Sequence, residues 1–186
     1  MTRPPPRAIG QRCATSSAPS SPDNRRAADA RRRHDDPAPL SRVGDLARRA
    51  QSAGFSGLLF TETGRTAYLN AAVASQAAPG LELSTGVAVA FPRSPFVTAT
   101  TAWELAEATG GKFRLGLGTQ VRTHVVRRYG VPFDRPGPRL RDYVLAVKAC
   151  FAAFRTGTLD HHGEFYDLDF ITPSGAGAHR CPRPES

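Results

Sequence analysis

The spacing of apolar residues changes several times along the chain, and each change predicts an element. Leu40, Val43, Leu46, Ala47 and Ala50 recur three and four residues apart, as on one face of a helix. Ser41 is its expected N-cap and Gly54 its C-terminal stop. "GLLFTE" (57–62) follows as a short, nearly unbroken apolar run, which suits a strand covered on both faces. A second helix is expected from Tyr68 to Ala78, closed by Pro79-Gly80. "LELSTGVAVAF" (81–91) reads as the next strand. Ser94 and Pro95 then supply an N-cap and a first-turn proline. The helix they start holds Trp103 and stops at Gly110-Gly111, and "FRLGLG" (113–118) reads as a third strand. Leu140, Tyr143, Val144, Val147, Phe151 and Phe154 mark the most regular helical face, with Pro138 in its first turn and Gly157 just past its end. "HHGEFYDLDF" (161–170) is expected to form a hairpin-like excursion.

Alternating helices and strands predict a parallel sheet with right-handed crossovers. Both a (β/α)8 barrel and a doubly wound open sheet satisfy that order. In either, function gathers at the C-terminal ends of the strands. Those ends read "TETGR" (61–65), "AFPRS" (90–94) and "GTQVRTH" (118–124), each turning from apolar to polar, Gly or Pro. Together they predict one pocket rim.

Composition sets the N-terminal stretch apart. Residues 1–39 are rich in Pro, Ser and Ala with few large apolar groups, and are expected to form a disordered arm; residues 173–186 read as a disordered tail. The 186-residue chain has a net charge of +9, and eight arginines against four aspartates stand before residue 41. A basic arm of this kind can bind nucleic acid or anionic surfaces. It contains no aromatic residue on which a base could stack, so a solvated extension is the plainer reading and a nucleic-acid partner ranks last. Cys13, Cys150 and Cys181 are odd in number and lack metal-ligand spacing, which fits a reducing cytoplasm. Cys150 falls on an apolar helical face and reads as a core residue. No apolar run approaches the ~18 residues of a membrane span.

Candidate chemistry is sparse. Gly116 and Gly118 match the first two positions of a dinucleotide fingerprint, but Val121 stands where the third glycine belongs. No G-K-[ST] phosphate loop and no G-x-S-x-G elbow occurs. His161 and His162, with Asp160 and Glu164, look at first like metal ligands. Adjacent strand residues point to opposite faces, so a polar turn is expected and no metal is assigned. Glu62, alone at a strand end, is the candidate general base.

Four segments carry a family resemblance: "AGFSGLLFTETG", "LELSTGVAVAFPRSPFVTATTAWELAEATGGKFRLGLGTQV", "RRYGVPFDRPGPRLRDYVLAVKACFAAFRTG" and "HGEFYDL". In this order and spacing they resemble luciferase-like monooxygenases, and within them the deazaflavin (coenzyme F-420)-dependent oxidoreductases of actinobacteria. The likeness covers roughly residues 37–173. It implies a (β/α)8 barrel that binds FMN or coenzyme F-420 at its C-terminal face and transfers hydride to or from a small organic substrate. It also implies a non-prolyl cis peptide after the third family strand, here within "GVAVA" near Val89-Ala90, supporting the ring. Glu62 would face the ring or substrate. Gly118, Thr119 and Gln120 would lie beside the cofactor, and His124 and Arg128, in the following loop, would approach it. For Arg128 a plain surface charge is the competing reading.

Departures from the family pattern shape the expectation further. No apolar strand precedes the first helix, and Gly64-Arg65 stand where relatives often place a histidine. The likeness stops near Thr172-Pro173, whereas a closed barrel takes ~250 residues. The expectation is therefore an α/β fold representing the N-terminal part of a (β/α)8 barrel over 40–172, an incomplete copy of an oxidoreductase. The competing readings are a non-catalytic remnant and a subunit completed by a second copy or a complementing chain.

Overall fold

The structure, a computed structural model, describes residues 38–172. Helix α1 (Leu40–Ser52) leads into β1 (Gly57–Phe60), α2 (Ala67–Ala77), β2 (Glu82–Thr85) and β3 (Ala88–Val89). Helix α3 (Pro95–Ala108), β4 (Phe113–Arg114), β5 (Leu117–Gly118), α4 (Arg122–Arg127) and α5 (Pro136–Thr156) follow, and β6 (His161–His162) and β7 (Asp167–Leu168) close the order. All pairings among β1 to β5 are parallel, in the orders β1-β2-β4 and β3-β5. This is the front of a (β/α) barrel, and no closed barrel forms among the described residues. The expected basic arm and tail lie outside the described residues, apart from Ala38 and Pro39.

The helices sit where their apolar faces dictate. Helix α1 packs on α2, and α3 on α5. One core joins Val43, Ala47, Ala71, Ala74, Leu81 and Leu83; the other joins Phe91, Trp103, Tyr143, Val147, Cys150 and Phe154. Full burial of a leucine such as Leu83 contributes ~1.5–3 kcal/mol. Ser94 caps α3 as expected, its hydroxyl accepting from Val97 N at 3.2 Å. Gly157 ends α5 in the left-handed region, with φ +81°. Ser41 does not cap α1, whose N-cap is Pro39 with no side-chain bond.

The expected strand over 81–91 is two strands. The ladder breaks at Gly86–Val87, which is a cis peptide. Residues 113–118 break beside it, between Arg114 and Leu117. Thr85 bridges the gap: its hydroxyl accepts from Gly116 N at 2.9 Å and donates to Gly116 O at 2.8 Å. A Cβ on Gly116 would fall 2.2 Å from the Thr85 carbonyl oxygen, so only glycine fits there. The segment 161–170 forms the expected hairpin, with β6 antiparallel to β7.

Candidate functional site

The parallel register brings three strand ends to one side of the sheet. Gly86 N donates to Phe60 O at 2.8 Å, Ala88 N to Gly116 O at 2.8 Å and Ala90 N to Gly118 O at 2.9 Å. Glu62, the segment 86–90 and Gly118 are thus tied into one unit. Glu62 is buried, 8% exposed. Its Oε2 accepts from Val89 N at 2.7 Å and from Arg93 Nη1 at 2.9 Å. Its Oε1 pairs with Arg93 Nη2. Arg93 Nη1 also donates to Val89 O at 3.0 Å, and its guanidinium lies 5.0 Å above the Tyr68 ring. Burial by itself would lower the Arg93 pKa. The hydrogen bond and charge of Glu62 outweigh it, so the pKa is raised and the cation is fixed. Tyr68 is buried, and that burial raises its pKa.

Sequence reasoning did not single out Arg93. The pairing spans 31 residues, and a short-range pattern carries no signal for it. The geometry also constrains the chemistry available to Glu62: its two oxygens already accept three hydrogen bonds, which leaves one acceptor site on Oε1.

The non-prolyl cis peptide falls within "GVAVA" but at Gly86–Val87, not at Val89-Ala90. Val89 and Ala90 are buried, so they offer backbone and not side chain to a bound group. The exposed apolar side chains here are Leu59 and Val87, at 62% and 46% exposure. A Cβ on Gly86 would meet Leu59 Cδ1 at 2.5 Å, and one on Gly118 would meet Val87 Cγ2 at 2.6 Å. The glycine at 118 is therefore explained by its neighbouring segment. Leu59 and Val87 form an apolar shelf at the strand ends, and a flat, partly apolar ring fits such a surface.

Gln120 follows β5 with φ +61°, uncommon for a residue with a side chain. Its Oε1 accepts from Val121 N at 3.0 Å, and Thr119 Oγ1 donates to Gln120 O at 3.0 Å. His124 and Arg128 do not lie in a loop. His124 is on α4, and Arg128 is its C-cap; both are exposed. Arg128 stacks 5.2 Å over Tyr129. No group of His, Cys, Asp or Glu suited to a metal occurs among the described residues. His161 instead meets the buried Asp142 at 3.0 Å, and His162 reaches Asp160 and Asp167. No helix among the described residues is long and apolar enough to cross a membrane.

Comparison with known proteins gives this geometry a context. The family model described as luciferase-like monooxygenase matches residues 19–186. An uncharacterized protein of Mycobacterium tuberculosis is 37% identical over 138 residues, covering 74% of this chain and 41% of that protein. The chain thus spans about two fifths of the length of the curated relatives it matches. The oxygenating constituent of 3,6-diketocamphane monooxygenase from Pseudomonas putida, solved with FMN, superposes with a TM-score of 0.62 at 14% identity. That match covers 76% of this chain and 41% of the other. The coenzyme F-420-dependent tetrahydromethanopterin reductase of Methanopyrus kandleri gives 0.59 at 16% identity, covering 70% and 41%. At these identities the two structures speak to the fold.

Proposed function

The chain belongs to the luciferase-like monooxygenase family, and from that premise we propose that it serves flavin- or deazaflavin-dependent oxidoreduction on a small organic substrate. The observation that carries this reading is the apolar shelf of Leu59 and Val87 at the joined ends of three parallel strands. When bound, the ring of FMN or coenzyme F-420 would supply the hydride chemistry. The protein's part is to seat and orient it. The backbone of Val89 and Ala90, with Gly118, would support the ring, while Thr119, Gln120, His124 and Arg128 would rim the cofactor. The left-handed Gln120 supports this placement, because such backbone clusters at ligand sites.

Titration with FMN and separately with coenzyme F-420, followed by ring absorbance or fluorescence, tests the reading. Saturable binding of one ring in preference to the other is expected, and it names the cofactor. No binding of either at high micromolar concentration would refute the proposal for this chain.

A second reading, a sheet that further strands from a partner or a second copy complete, has its own support. Among the described residues β1 and β4 are edge strands. An apolar hollow of about 390 Å³, which Leu59 also lines, lies beside Leu58 and Phe60, and one of about 230 Å³ beside Phe113 and Leu115. Unpaired parallel edges favour association. Sedimentation distinguishes the readings: this one expects a mass above the monomer, and a monomer that still binds the ring speaks against it.

A further inference from the structure

We propose that Glu62 and Arg93 are a paired positioning device that stands in for a neighbouring strand and sets the ring-facing conformation of residues 86–90.

The argument begins with the ladder. In a strand, the N–H and C=O of one residue point to the same side, and those of its neighbours to the other. Ala88 and Ala90 donate toward β5, to Gly116 O and Gly118 O. Val89 therefore presents both its N–H and its C=O toward the β1 side. Strand β1 has already ended at Phe60, whose register partner is Thr85. Among the described residues no backbone group receives Val89 on that side, and a buried peptide group left unpaired is costly. The ion pair fills the gap. The Glu62 carboxylate accepts from Val89 N at 2.7 Å, and the Arg93 guanidinium donates to Val89 O at 3.0 Å. The two side chains also neutralise each other, so neither is a lone buried charge.

This division of labour needs both residue types. A carboxylate only accepts, and a guanidinium only donates from a planar fork that reaches two acceptors at once. Lysine keeps the charge but not the fork. The pair binds the segment at Val89, two residues beyond the exposed Val87. Its influence on a bound ring would thus act through the backbone, with Glu62 acting as a positioning residue.

The second half of this inference rests on the ring-binding reading; the backbone half does not, and two measurements separate them. Amide hydrogen exchange at Val89 is compared with that of α5 amides in Glu62→Gln, Arg93→Lys, Arg93→Met and the double variant Glu62→Met/Arg93→Met. Binding of FMN and of coenzyme F-420, with the spectrum of the bound ring, is recorded for each. Loss of a charge-assisted bond predicts Val89 exchange faster by roughly 10- to 100-fold, with α5 amides changing far less. The double variant is the sharper probe, because replacing a buried ion pair by apolar groups often restores stability. It is expected to be more stable than Glu62→Gln or Arg93→Met, though below wild type because the Val89 peptide group stays unpaired, while Val89 stays fast and the ring binds at least about tenfold more weakly, with an altered spectrum. Arg93→Lys is expected to fall between wild type and Arg93→Met, and it serves if the others do not fold. Val89 protection unchanged relative to α5, or wild-type ring binding in the double variant, would overturn the proposal. If wild type binds neither ring, the proposed function falls, while the exchange data still decide whether the pair holds Val89.

Discussion

Two buried carboxylates hold two loops in this protein, and they do so with different partners. Glu62 binds one backbone amide and a guanidinium, and faces the strand ends. Asp142, on α5 and 7% exposed, binds two amides and an imidazole. Its Oδ2 accepts from Phe165 N at 2.6 Å and Tyr166 N at 3.1 Å, and its Oδ1 meets His161 Nε2 at 3.0 Å. Gly163 is required beside it, since a Cβ there would fall 2.0 Å from Oδ1. Asp142 closes a hairpin onto a helix through two backbone amides and the His161 imidazole, a matter of folding. Glu62 recruits a permanent cation and leaves an apolar shelf open in front of the segment it holds. The contrast separates a carboxylate that completes the fold from one that shapes a surface.

The largest effect is expected from Glu62→Ala. It strips the buried Val89 N–H and the half-buried Arg93 guanidinium of their shared acceptor, which costs about 2–4 kcal/mol. Chemical denaturation reads that loss, and a change below about 1 kcal/mol would mean that Arg93 finds water instead. Next comes Asp142→Asn, expected to cost about 1–3 kcal/mol because a charge-assisted acceptor is weakened while one amide bond survives. Gly163→Ala attacks the same contact from the other side, with a similar cost of about 1–3 kcal/mol. Because both break one contact, the double variant is expected to cost less than the sum.

Cys150 reports on the Asp142 side. It is buried on the same helix, and burial pushes its thiol up to about 11. A raised acid pKa favours the folded form below the unfolded value, and that contribution is lost as pH climbs from 9.0 toward about 11. Labelling by a thiol reagent at neutral pH is expected to be slow in wild type and faster in Asp142→Asn, while Arg93→Lys leaves it nearly unchanged. Equal acceleration in both would erase the distinction between the two regions. The smallest effect belongs to His162. Its pKa is raised by the hydrogen bond and charge of Asp167, helped by Asp160. The stabilisation is full below 6.5 and is lost as pH rises through the folded value. The group is exposed, so the melting-temperature difference between wild type and His162→Gln is expected to be slight and confined to that window.

Much of this fold was legible in the spacing of apolar residues. The alternation of helices and strands, the cap at Ser94, the stop at Gly157 and the hairpin at 161–170 follow from local chemistry. The break at Gly86–Val87 did not, because the polar residues of "LELSTGVAVAF" (Glu82, Ser84, Thr85) all precede it and Gly86 alone does not distinguish a break from a continuous strand. Helix α4 escaped because six residues with only Val125 buried carry no apolar face. Glu62 stood out as a lone carboxylate at a strand end. Its partner did not, since Arg93 resembles every other arginine until folding brings it to the carboxylate. The Leu59–Val87 shelf was hidden for the same reason: whether an apolar residue is covered is a property of the fold.

The most direct test is the hydrogen-exchange footprint of a saturating ring, FMN or coenzyme F-420, on the whole chain. Slower exchange is expected at Gly86–Ala90 and Gly118–Gln120, with no change at Phe165 and Tyr166 in the Asp142 hairpin. A footprint that spares the strand ends, or one that falls equally on the hairpin, would contradict the account.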